Sequence, residues 1–185
     1  MAEPDSLTVW TRGEGQTLGL GEALGRHLGT GAVVALRGEL GSGKTRLVQG
    51  IARGLEVSPS DRVSSPSFAL IHEHAGRIRL YHMDFYRLAA GGWEPDLGLE
   101  EYLLGDGACV IEWAERIEEL LPQDRLDVFL TIEGASKRKI ELVARGERHG
   151  KGVEALRKAL DRVQGARELS EGDFFHPRPT GERGG

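Results

Sequence analysis

Asparagine is absent from this 185-residue chain, and cysteine occurs once. Guanine-reading GTPases commonly carry an Asn-Lys-x-Asp stretch, so the missing asparagine counts against that class. A single thiol, Cys109, excludes an internal disulfide and a cysteine-rich zinc site. It lies in the apolar run Ala108-Cys109-Val110-Ile111 and reads as a small core hydrophobe. No stretch approaches the roughly 18 apolar residues of a membrane-spanning helix. The first residues, Met1-Ala2-Glu3-Pro4-Asp5, are acidic and do not resemble a targeting segment. The expectation is a soluble, cytoplasmic protein with no membrane partner. There is also no surplus of positive charge. The net charge of −5 argues against a surface that coats nucleic acid, while leaving room for local basic patches.

What is present is more specific. Residues Gly38-Glu39-Leu40-Gly41-Ser42-Gly43-Lys44-Thr45 match the phosphate-binding pattern G-x-x-x-x-G-K-[ST] in full. Its glycines let successive backbone N–H groups turn inward toward phosphate oxygens. Lys44 brings a mobile positive charge to the β- and γ-phosphates, and the Thr45 hydroxyl is placed to ligate Mg²⁺. The context agrees. Ala32–Leu36 is a short apolar run of buried-strand type, and Leu47, Val48, Ile51, Ala52 and Leu55 recur at helical spacing. Strand, glycine loop and helix in that order set a helix N-terminus against an anion. The cofactors expected are therefore ATP and Mg²⁺.

The remaining patterning predicts an α/β domain. Leu7–Trp10 alternates like a strand, and Gln16–Leu28 carries apolar residues at helical spacing before Gly29-Thr30-Gly31. Phe68–His74 and Ile78–Met83 read as one antiparallel hairpin around Ala75-Gly76-Arg77, and 126–133 with 138–144 as another. A short helix is expected at 99–104, a buried strand at 108–111 and a helix at 114–121 ahead of Pro122. A terminal helix is expected at 153–163. Two hairpins rule out a pure succession of βαβ units. The predicted fold is a three-layer α/β/α domain of the P-loop NTPase kind with a mixed parallel and antiparallel sheet. Residues 1–166 form one P-loop ATPase domain in this reading. Residues 167–185, rich in glycine, proline and charge, form a disordered tail.

A P-loop enzyme needs a second carboxylate at the end of a neighbouring strand to order the metal shell or the attacking water. Two residues compete. Glu112 ends the most apolar strand and is favoured by composition as the acid nearest the metal. Asp84 ends the half-polar run His82-Met83-Asp84. The plain alternatives are an Asp closing a turn and a Glu starting a helix. Other constellations are weaker. His72 and His74 share one strand face and read as solvated rather than metal-binding. Ser64, Ser65 and Ser67 lack a base to make a nucleophile, and suit a polar loop touching the γ-phosphate. Lys137-Arg138-Lys139 reads as a solvated basic turn, with RNA or nucleotide phosphate as the sharper alternative. Trp113 is either core or a stacking surface.

Four stretches, taken together, go beyond a generic P-loop. The octet, Ser65-Pro66-Ser67-Phe68, His82-Met83-Asp84-Phe85-Tyr86-Arg87 and Ile111-Glu112-Trp113 resemble the bacterial TsaE family, also called YjeE, over roughly residues 6–146. Ser67 stands where the family usually has threonine, which keeps the hydroxyl. The resemblance implies a Mg²⁺-dependent ATPase needed for threonylcarbamoylation of adenosine 37 in ANN-reading tRNAs. It implies action beside TsaD and TsaB, which carry out the transfer, with ATP hydrolysis resetting the complex and any tRNA contact either direct or indirect. By position, Thr45 and Glu112 look like Mg²⁺ ligands, Asp84 like the Walker B acid and 65–68 like a switch loop. Glu14 and Thr17 look similar to the family's adenine-side contact. Catalysis would then rest on Lys44, Asp84 and Glu112, and nucleotide binding on Glu14, Thr17 and the octet.

No arginine finger is evident, so hydrolysis by the chain alone is expected to be slow and partner-stimulated. A small-molecule or nucleoside kinase is the alternative. It would need a mobile lid carrying several arginines, whereas 87–105 is acidic and holds only Arg87. A non-catalytic nucleotide-binding module is the remaining option.

Overall fold

The computed structural model describes residues 5–66, 69–88 and 98–167. The elements are β1 (Ser6–Arg12), α1 (Glu14–His27), β2 (Val33–Arg37), α2 (Lys44–Gly54), β3 (Ile71–His74) and β4 (Leu80–Asp84). They continue with α3 (Leu99–Leu103), β5 (Ala108–Glu112), a 3-10 segment (Ala114–Leu120), β6 (Arg125–Ile132), β7 (Lys137–Arg145) and α4 (Glu147–Arg167). The strands form one seven-stranded sheet in the order β1-β7-β6-β2-β5-β4-β3. β6, β2, β5 and β4 run parallel, and antiparallel pairings add β7 and β1 on one side and β3 on the other. Both predicted hairpins are therefore present, and the sheet is mixed as expected.

The two central strands are apolar throughout because both of their faces are covered. All five residues of β5 are buried, as are four of the five in β2. On one face Val34, Leu36, Val110 and Val128 pack with Leu20 and Leu24 of α1, Leu47 and Ile51 of α2, and Leu156 of α4. On the other, Val33, Ala35, Cys109 and Ile111 pack with Leu99 and Leu103 of α3 and Ile117 of the 3-10 segment. Cys109 is the core hydrophobe expected, with burial pushing its thiol up to about 12.

Several boundaries differ from the sequence reading, three of them with a consequence for the fold. The helix expected over 114–121 is a 3-10 segment broken at Ile117 (φ −126°, ψ 28°). Its buried residues, Ala114 and Ile117, are three apart, the repeat of a three-residue turn, and Leu121 is extended ahead of Pro122. α4 begins six residues before the predicted 153, at Glu147. There His149 donates from Nδ1 to Asp124 Oδ1 at 2.8 Å and accepts the Val33 N–H on Nε2 at 3.3 Å, joining α4 to the start of β2. β3 begins at Ile71 rather than 68. The expected disordered tail, apart from Arg167 at the end of α4, lies outside the described residues.

A buried carboxylate on β6 ties β2 on one side to β7 on the other. Burial pushes the Asp127 carboxyl up, but bonds from Arg145, Arg125 and Arg37 outweigh that and hold it below the ordinary carboxylate range. By linkage, its contribution to stability is complete above the unfolded-chain carboxylate range and fades as pH falls through the lower native value.

α1 and α2 approach each other through glycines. A Cβ on Gly21 would lie 2.3 Å from the Leu47 carbonyl oxygen, and one on Gly50 would lie 2.1 Å from that of Leu18. Backbone cannot yield as a side-chain tip can, so Gly50→Ala forces the helices apart. It is expected to destabilise the fold by about 2–3 kcal/mol in urea unfolding. Gly19→Ala, on the exposed side of α1 with nothing within 4 Å, is expected to stabilise by about 0.5–1 kcal/mol. Equal effects at the two positions would contradict this account of the packing.

Candidate functional site

The parallel strands end on one side of the sheet, and the sequence-predicted residues collect there, where open α/β sheets bind ligands. The loop after β2 turns through Gly38, Gly41 and Gly43, all with positive φ. Gly43 (φ 102°) forms the left-handed entry to α2, and no side chain caps that helix. Its first N–H groups are thus left for an anion, with the helix dipole behind them. At Gly38 a Cβ would collide with the Leu130 carbonyl oxygen at 2.4 Å, so the loop lies directly on β6. Glu39 accepts the Ser42 N–H at 3.1 Å, Ser42 is fully buried, and Leu40 is exposed at the tip.

Lys44 is buried beneath this loop. Its Nζ donates to the carbonyls of Gly38 (2.7 Å) and Glu39 (3.0 Å) and lies 4.0 Å from the centroid of the Trp113 ring. Burial lowers its ammonium from the ordinary value, against the pull of Glu112, Glu115, Asp84 and Glu39. Trp113 reaches it because the chain leaves β5 with Trp113 itself at φ 59°, a conformation that non-glycine residues seldom adopt. Half-buried and packed against Tyr86 with the rings tilted by 47° at 5.0 Å between centroids, Trp113 is a ring over a cation as well as part of the wall.

Thr45 and Glu112 meet. The Thr45 hydroxyl donates to Glu112 Oε2 at 2.9 Å, and the other carboxylate oxygen accepts from His82 Nε2 at 2.9 Å. Glu112 is 2% exposed and His82 fully buried. Asp84 stands beside them, because β4 pairs with β5 in the register that sets Asp84 against Glu112. It accepts the Ser65 hydroxyl on one oxygen and the Tyr86 N–H on the other at 2.9 Å. Both competing acids are therefore in the site with different duties. Glu112 touches the phosphate-loop helix, and Asp84 anchors the polar loop through Ser65. Ser67 and Phe68 lie outside the described residues.

The donor set fits a hard divalent cation. A hydroxyl and a carboxylate side by side offer oxygen ligands, and Mg²⁺ commonly takes one or two such groups and fills its shell with water and phosphate. Among the described residues no group of three or more His, Cys, Asp and Glu side chains makes a closed cage. His74, expected on a solvated face with His72, is instead buried and bonded through Nδ1 to Asp61 at 2.9 Å. The base-side candidates lie across the loop. Thr17 is buried, its hydroxyl shares a 2.9 Å hydrogen bond with that of Thr11, and its methyl is 3.8 Å from where a Gly43 Cβ would be. Glu14 is exposed and accepts from Arg46 on α2.

Sequence reasoning passed over two residues. His82 stood in the half-polar run that ends at Asp84, and only the pairing of β4 with β5 brings it to Glu112. Arg138 belongs to the basic turn read as solvated, with RNA or nucleotide phosphate as the alternative, and neither reading gives it a role toward the loop backbone. In the structure Lys137 pairs with Glu133, Lys139 with Glu141, and Arg138 binds the phosphate loop.

The profile of the family described as "Threonylcarbamoyl adenosine biosynthesis protein TsaE" matches residues 11–140. The chain is 44% identical over 120 residues to the tRNA threonylcarbamoyladenosine biosynthesis protein TsaE of Bacillus subtilis, covering 64% of this chain and 73% of that one. It is 42% identical to the protein so named in Treponema pallidum, covering 65% and 87%. For the one in Nostoc the identity is 40% over 148 residues, covering 75% and 86%. The crystal structure of Bacillus subtilis YdiB superposes with a TM-score of 0.69 at 34% identity, covering 89% of this chain and 99% of that one.

A double-substitution cycle tests the pairing at the heart of the site. His82→Leu alone strands a buried carboxylate oxygen and is expected to destabilise the protein by about 1–3 kcal/mol. Glu112→Leu alone has a similar effect through the imidazole. The double variant is expected to lose less than the sum by at least about 1 kcal/mol in urea unfolding. Additivity would mean the two groups do not stabilise each other.

Proposed function

The chain belongs to the TsaE family of tRNA threonylcarbamoyladenosine biosynthesis, and from that premise we propose that it is the Mg²⁺-dependent ATPase of the modification of adenosine 37 in ANN-reading tRNAs, working with TsaD and TsaB. The transfer itself belongs to those partners in this reading, and hydrolysis here resets their complex. No helix among the described residues is long and apolar enough to cross a membrane, in keeping with work in the cytoplasm.

The observation that carries the reading is the convergence of Lys44, Thr45 and Glu112 at the head of α2. The uncapped amides of that helix and the Lys44 ammonium bind the triphosphate. A partly desolvated ammonium attracts phosphate oxygens more strongly than one in bulk water. Thr45 and Glu112 would hold Mg²⁺, the latter through water, and the ion supplies neutralisation of charge on the β- and γ-phosphate oxygens. The attacking water is oriented by Glu112 or Asp84, each fixed by hydrogen bonds to both of its oxygens. Glu14 and Thr17 supply the base side.

Isothermal calorimetry with ATP and Mg²⁺ is expected to detect binding to the native chain and none to Lys44→Ala. Glu112→Gln and Asp84→Asn separate the acids. The one that orients water is expected to retain binding and lose roughly a hundredfold or more of partner-stimulated phosphate release. Without TsaD and TsaB, turnover is expected to be slow. Absence of heat with the native chain would overturn the reading, and phosphate appearing on a metabolite instead of in water would replace it with a kinase.

A further inference from the structure

The turn between β6 and β7 comes back to the nucleotide site by a route that no sequence motif marks. Arg138, the second residue of β7, donates from Nε to the Ser42 carbonyl at 3.1 Å and from Nη2 to the Gly41 carbonyl at 3.2 Å. The same guanidinium is held to its own turn through Nη1, on the carbonyls of Gly134 (2.9 Å) and Lys137 (3.0 Å). One residue of that turn, Ser136, accepts the Gly13 N–H at 2.7 Å, just before α1. A single short turn thus grips the phosphate loop with a side chain and the entry to α1 with its backbone.

The effect on the loop follows from peptide geometry. In a trans peptide the C=O and the next residue's N–H point in opposite directions. Holding the Ser42 carbonyl toward β7 directs the Gly43 N–H the other way. Holding the Gly41 carbonyl does the same for the Ser42 N–H, which closes the loop on Glu39 at 3.1 Å. A glycine-rich loop has many conformations of similar energy, and the planar fork of an arginine can satisfy two of its carbonyls at once. A lysine offers a point charge and no fork.

We propose that Arg138 is a positioning residue for the phosphate loop, holding the Gly41 and Ser42 carbonyls outward so that the loop is set for phosphate before a nucleotide arrives. This rests on the ATP-binding reading for its ligand and on the hydrogen bonds alone for its structural part.

Calorimetry with ATP and Mg²⁺, together with amide hydrogen exchange of residues 39–46 in the protein without nucleotide, tests it on the full chain. Arg138→Ala is expected to weaken ATP binding roughly tenfold or more and to speed exchange at Ser42. It should raise the apparent KM for ATP while changing partner-stimulated kcat less than about threefold. Arg138→Lys, which keeps the charge, is expected to recover only part of the affinity. Lys137→Ala removes a neighbouring cation that pairs with Glu133, and is expected to leave affinity within twofold. If Arg138→Ala does not fold, Arg138→Lys decides by the same two measurements. Affinity within twofold of native and unchanged exchange in the folded variant would overturn the proposal. Equal losses in Lys137→Ala and Arg138→Ala would also overturn it, leaving a general charge effect. If the native chain binds no ATP, the functional reading fails and exchange alone decides: faster exchange in Arg138→Ala upholds the positioning role, and unchanged exchange ends it.

Discussion

A carboxylate that is almost wholly buried must have both oxygens satisfied, and Glu112 meets that requirement through two different elements. Thr45 comes from the first turn of α2 and His82 from the middle of β4. The hydrogen-bonded row His82–Glu112–Thr45 therefore ties β4, β5 and the helix that follows the phosphate loop into one unit. Slipping β4 by one residue would turn His82 to the opposite face of the sheet and leave Glu112 short of a partner. Site geometry here is a property of the packed core rather than of mobile loops, and a core defines positions far more narrowly than a loop can.

The mixed sheet divides its labour. Its parallel centre aligns the ends of β2, β5 and β4, so that a lysine, a threonine and two acids arrive at one place from three stretches of chain. Its antiparallel pairs contribute in another way. A hairpin reverses direction within a few residues, so β6, which lies parallel to β2 and ends beside the phosphate loop, passes directly into β7 there. The Leu130 carbonyl packs under Gly38, and the turn eight residues later supplies Arg138. The hairpin is both floor and side wall for the glycine loop.

How far these features could be read from the sequence depends on their range. The phosphate loop, its strand and its helix are local, and glycines, alternation and helical spacing announce them. The hairpins are announced by their turns. Close packing of α1 on α2 had a visible sign, since Gly21 and Gly25 repeat at four residues and so do Gly50 and Gly54, but the sign carries meaning only once the two helices are known to touch. The His82–Glu112 pair spans 30 residues and the Arg138–Ser42 bond 96, and neither has any local signature. Both follow from strand order, which nearest-neighbour patterns do not contain. Seven residues with two buried positions fit either helical repeat, so spacing alone does not separate the 3-10 segment from an α-helix.

Strand order also resolves an electrostatic difficulty. A protein of net charge −5 must attract a highly charged anion to a site that itself contains Asp84 and Glu112. Charges on the open surface matter little beyond roughly 8–10 Å at physiological salt, so the balance is struck by groups close to the loop. There the fold concentrates the Lys44 ammonium, the Arg138 guanidinium and the uncapped amides of α2. Both acids are engaged by donors, Glu112 by an imidazole and a hydroxyl, Asp84 by a hydroxyl and an amide. These donors offset part of the negative charge of both acids. Trp113 covers Lys44 on one side and limits its hydration, which strengthens its field. Of the two cations, Lys44 is placed to meet phosphate, while Arg138 is committed to carbonyls. A guanidinium suits that second role because it does not lose its proton in a protein and can hold two loop carbonyls while remaining fastened to its own turn. The acidic composition of the chain and its anion site are thus compatible, because the decisive charges act within one loop's width.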